Sequence, residues 1–181
     1  MTKQKIYFDL EIDSLRVLGK WAADCADRVL PIFEAFDHDD VRPQKAIKGI
    51  RIFAEGGKRQ ATLRRLAMDA YRAALETSNP AASAAAQAAS LAASSAFTHP
   101  LVDVQQTKHI LGPAAYAALA VEISHENNPQ FGQAEVRWAI DHVQQEICEI
   151  LLNMPKREPG KSRVDQLMLD LDFGLRDKYE H

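Results

Sequence analysis

Apolar residues recur at three- and four-residue spacing over most of this chain, the period of helices with one buried face. Leu15, Leu18, Ala22, Cys25 and Val29 make the first such stripe, with Trp21 beside it and Asp13 or Ser14 placed to cap its start. Pro31 kinks or ends that helix, because its ring removes a donor and pushes Leu30 out of the helical region. Pro43 suits a first helical position and opens a segment whose apolar face is Ala46, Ile47, Ile50 and Ala54, closed by Gly56 and Gly57. A third helix, about residues 60 to 76, carries Leu63, Leu66, Ala67, Ala70, Tyr71 and Ala74 on one side.

The next segment has a different composition. Asn79 as cap and Pro80 at the first position open residues 81–97, nearly all alanine and serine and without a charge. Alanine favours helix, and an exposed helix normally carries charges on one face, so this one is expected to be covered on several sides. A helix from about Val102 stops at Gly112, and Pro113 starts another reaching Ser124; a single kinked helix is equally readable. After a break at residues 126–129, Val136, Ile140, Val143, Ile147, Leu151 and Met154 read as one long amphipathic helix with Trp138 nearby. Beyond Pro155 the chain turns charged, and Val164, Leu167, Met168, Leu171 and Phe173 support a short appended helix that docks back or lies on a partner. Lys5 to Leu10 alone alternates like a strand, with nothing to pair with. The pattern therefore predicts an all-α fold, a single-domain bundle of about six to seven helices around an alanine-rich central helix. Residues 1–154 form the bundle and 155–181 a charged C-terminal extension with a short helix.

Composition narrows the function classes. With 46% hydrophobic and 26% charged residues in 181, and only 8 Gly and 8 Pro, the chain is neither disordered nor collagen-like nor disulfide-stapled. A net charge of -3 argues against a protein held to nucleic acid or anionic lipid by its total charge. No apolar run approaches a membrane span, and the start lacks a signal-peptide pattern, so no membrane partner and a cytoplasmic location are expected. Cys25 and Cys148 lie within apolar periodicity and are expected to pack as small hydrophobes; Cys25 also sits between Asp24 and Asp27, against a reactive thiolate.

The densest set of potential metal ligands is Asp37-His38-Asp39-Asp40. A hydrolytic metal site would need further ligands from His99, His109, His125, Asp141 or His142, and no two histidines stand four apart on one helix. The simpler reading is a solvated acidic loop at the start of a helix, so no catalytic residue, metal ligand or cofactor is assigned. From Arg42 to Arg65 eight basic residues face Glu55 alone, a solvated helix face or a patch for an acidic partner. Nucleic acid is not expected, since no aromatics interleave with the charges. Serines of the alanine-rich helix sit on no strained turn, and Gly56-Gly57-Lys58 lacks the spacing of a phosphate loop.

The run Leu18-Gly19-Lys20-Trp21-Ala22-Ala23-Asp24-Cys25-Ala26-Asp27-Arg28-Val29-Leu30-Pro31, then Arg42-Pro43, the alanine-rich helix, His109 with Gly112-Pro113-Ala114-Ala115-Tyr116-Ala117, and Trp138 resemble the immunity-five-like family of bacterial polymorphic toxin systems. The resemblance covers roughly Leu15 to Met154. Members often carry a histidine inside the alanine-rich helix, where this chain has Leu91, so it carries over no site built on that imidazole. The resemblance implies a cytoplasmic, non-catalytic protein that neutralises a cognate toxin protein by binding it. The polar residues expected to meet that partner are Asp24, Arg28, Asp37, Asp39, Asp40 and Arg42, gathered at one end of the bundle. Asp24 and Arg28, four apart, can also simply pair on their helix. The alternatives are a metal-dependent hydrolase using His38, Asp39 and later histidines, and a helical scaffold that forms homo-oligomers through the uncharged segment or the tail.

Overall fold

The computed structural model describes residues 4–180. The fold is all-α, as the periodicity predicts, with nine α-helices among the described residues in place of the expected six to seven. They are α1 (Ile12–Asp27), α2 (Leu30–Phe36), α3 (Arg42–Ala54), α4 (Ala61–Glu76), α5 (Pro80–Ser94), α6 (Thr107–Ser124), α7 (Pro129–Asp141), α8 (Gln145–Leu152) and α9 (Arg163–Glu180). Two short 3-10 turns, Ser95–Phe97 and Val104–Gln106, join α5 to α6.

The count rises for two local reasons, and the tail helix is longer than expected. Pro31 enters the first turn of a new helix rather than merely bending the old one, because a proline there forfeits no helical hydrogen bond. The stripe from Val136 to Met154 is two helices, α7 and α8, separated at residues 142–144. Its apolar positions keep their spacing across the break, which is why they read as one element. The tail helix docks back, one of the two expected arrangements, but it is longer than expected: α9 has 18 residues and packs on α6, α7 and α8. In the opposite sense, α6 runs unbroken through Pro113.

The alanine-rich helix is the centre of the molecule. α5 packs against α1, α2, α3, α4 and α6, and every alanine in it is buried. Asn79 caps it by accepting from the Ala82 amide at 2.9 Å. Methyl side chains let the backbones close in, and at the α5–α6 crossing a Cβ on Gly112 would stand 2.6 Å from Leu91 Cδ1. Larger side chains fill the flanks: Trp21, Phe33, Phe53, Ile110, Leu111 and Ile147 are all fully buried. The Trp21 indole N–H donates to the Ala139 carbonyl at 3.0 Å, tying α1 to α7 without a stranded donor. Residues 5–10 are not without a mate, since Tyr7 pairs with Leu101 in an isolated antiparallel bridge.

Candidate functional site

The six polar residues singled out from sequence occupy the C-terminal end of α1 and the loop from α2 into α3, but they do not pair as their spacing suggests. Asp24 turns from Arg28 to Arg51 of α3, at 2.9 Å, and Asp27 takes the same guanidinium. Arg28 crosses instead to α7, where it forms a two-pronged ion pair with Glu135, the second contact at 3.1 Å. Its guanidinium lies 4.0 Å from the ring centroid of Trp138, and Trp138 stacks in turn on His142 at 4.2 Å. Arg28 is exposed while Glu135 is buried, so the carboxylate is the fixed member and the cation is presented outward.

The second group surrounds the acidic loop. Asp40 accepts from the Arg42 amide and guanidinium, and Arg42 also reaches Glu76 at the end of α4 at 2.5 Å. Hydrogen bonds from Arg42 hold the Asp40 carboxyl below the usual carboxylate range. Asp37 accepts from the Thr77 hydroxyl at 2.5 Å, so both loop anchors lead to the same end of α4. Asp39 is left outside this lattice, its side chain 96% exposed and 3.4 Å from His38. Phe36 and Val41, either side of the loop, are also exposed. Arg42 and Arg51 are nine residues apart on α3, about 13 Å along its axis, so the two groups are neighbours on one helix rather than a single cluster.

No His, Cys, Asp or Glu group of three stands close enough to hold a metal ion among the described residues. Burial raises the thiols of Cys25 and Cys148, the latter to about 11, which fits their expected role as packing groups. No helix of the described residues is long and apolar enough to cross a membrane.

Sequence reading missed a cavity of about 520 Å3 between α4, α5, the turn after α5, and α6. Arg64, Met68 and Tyr71 of α4 line it, facing Ser94, Phe97 and His109. Their i, i+4, i+7 spacing on α4 is visible in the sequence, but the apolar stripe places Tyr71 in the core, whereas it is exposed, and no spacing signals an opening between α4 and α6. The basic run also divides. Arg42 and Arg51 are consumed by the pairs above, whereas Lys45, Lys48, Lys58, Arg59, Arg64 and Arg65 have no acidic partner among the described residues.

With this geometry in place, comparison with known proteins gives one match. A family model described as Imm-5 like putative immunity protein matches residues 9–146, from before α1 to the start of α8. No curated protein and no solved structure matches.

Proposed function

The chain belongs to the family described as Imm-5 like putative immunity protein, and from that membership we propose that it neutralises a cognate bacterial toxin in the cytoplasm by binding it, without catalysis. The observation that carries the reading is the arrangement around Arg28. A guanidinium held between the Glu135 carboxylate and the Trp138 ring is fixed before any partner arrives, and little side-chain freedom is lost on association. Arginine and tryptophan are also the residue types that most often dominate the energy of protein interfaces. Asp24, Asp37, Asp39, Asp40 and Arg42 extend the surface from there. Four of these five are already paired, so they present charge in set positions, and Asp39 and the exposed Phe36 and Val41 offer new contacts. A surface of this kind covers about 800 Å2 per partner in a stable complex.

The test is coexpression with a candidate toxin encoded beside this chain's gene. Growth should be rescued and a complex recovered. Trp138→Ala, at a half-buried ring, should weaken the complex by about tenfold or more while leaving the protein folded. Recovery of no complex with the wild-type chain refutes neutralisation by binding.

A further inference from the structure

The cavity beside α4 lies apart from the Arg28 end and is unused by the proposed function. Its α4 wall is apolar and faces solvent: Met68 is 49% and Tyr71 38% exposed, one turn apart, on a helix that buries Leu63, Ala67 and Ala70 on its other side. The floor is already satisfied, since the Ser90 hydroxyl donates to the Ala67 carbonyl at 2.8 Å and the Ser94 hydroxyl to Ser90 at 2.7 Å. Two cationic or polar groups on the walls are not. Arg64 makes neither an ion pair nor a hydrogen bond among the described residues, yet its guanidinium is held over the Phe97 ring, 4.1 Å from the centroid. His109 has its Nδ1 sealed from solvent with no hydrogen-bond partner. A stranded buried N–H is rarer and costlier than an unused lone pair, so the proton belongs on Nε2, the ring nitrogen that is not sealed. The lining therefore offers a neutral N–H donor from His109 as well as the Arg64 cation.

We propose that this cavity is a binding site for a small aromatic anion, its ring against Met68, Tyr71 and Phe97 and its carboxylate or sulfonate directed to Arg64 and His109. The size suits such a ligand, because pockets for small molecules span about 300 to 1,000 Å3 and are mainly apolar with a few placed polar groups. Arg64, the one cation among the lining residues, favours a ligand with an anionic group, and the apolar walls disfavour sugars and other fully hydroxylated molecules. The site stands whether or not the chain binds a toxin.

Calorimetric titration of the purified protein with 2-naphthoate and with its uncharged counterpart 2-naphthalenemethanol tests this. Both should bind one to one and saturably, the carboxylate tighter by about tenfold. Arg64→Gln, at an exposed position, should erase the difference between the two probes while keeping the neutral one bound. Ser94→Phe should fill the space and abolish both, and Met68→Glu should repel the carboxylate more than the alcohol; circular dichroism identifies any variant that has lost its fold. Absence of saturable binding by either probe overturns the proposal. So does a carboxylate preference that survives Arg64→Gln, or binding indifferent to both Ser94→Phe and Met68→Glu in folded variants.

Discussion

Arg28 shows how far spacing along a helix can be trusted. The i, i+4 relation places Asp24 near the end of α1 and Arg28 at its C-cap, yet each finds its partner on another helix, α3 in one case and α7 in the other. Local spacing states who can meet, and tertiary packing decides who does. The cysteines were legible for the opposite reason, since an apolar stripe that buries one thiol buries it whatever lies across the core. His109 carries a prediction at this scale. Burial, with Lys108 adding to it, holds its pKa below the usual value. An unfolded histidine takes up its proton near pH 6.5, so below that pH the unfolded chain holds more protons than the folded one. Stability should therefore fall as pH drops from about 6.5 towards the folded-state pKa, and denaturant melts of His109→Gln should lack that decline. An unchanged pH profile in the variant would show that His109 is not the group responsible.

At the scale of elements, the alanine-rich helix was the best-read part of the chain. Its lack of charge demanded cover, and α5 is walled by five helices. The boundaries of α6, α7 and α8 were not legible. Pro113 removes the amide that would bond the His109 carbonyl, yet the helix survives because the surrounding packing, with Leu91 seated at Gly112, outweighs the lost bond. Tight backbone contact leaves no room at the centre, so Ala89→Leu should cost about 1–3 kcal/mol, visible as a lower thermal midpoint. α9 is pinned differently. Arg176 and Asp172 are both nearly inaccessible and pair at 3.0 Å, and Arg176 also donates to the Met154 and Pro155 carbonyls. Arg176→Ala leaves the Asp172 carboxylate buried without its cation and should destabilise by about 3–5 kcal/mol in the same assay. Replacing both with apolar residues of similar volume should cost less.

Across the whole molecule, the family match ends at residue 146, so α9 lies outside the matched residues. It is nonetheless integrated: Leu167, Leu171 and Leu175 are fully buried, and Arg163 pairs with the buried Glu122 of α6. A chain ending at residue 154 should therefore melt lower and self-associate through the uncovered faces of α6, α7 and α8, which light scattering would detect. If it stays monomeric with an unchanged midpoint, α9 contributes nothing to the stability of the rest. The charge balance of -3 concealed two surfaces of opposite character, the paired acidic end and the unpaired basic stretch from Lys58 to Arg65. A total cannot report a division that only folding creates.

The placement of α5 has a consequence for how the protein is made. When a ribosome has released residues up to 106, the first four helices can gather round one flank of this small-residue rod, while the flank that α6 will occupy still meets water. α5 carries no charge on any side, so the flank left for α6 stays uncovered until residues 107–124 have been made.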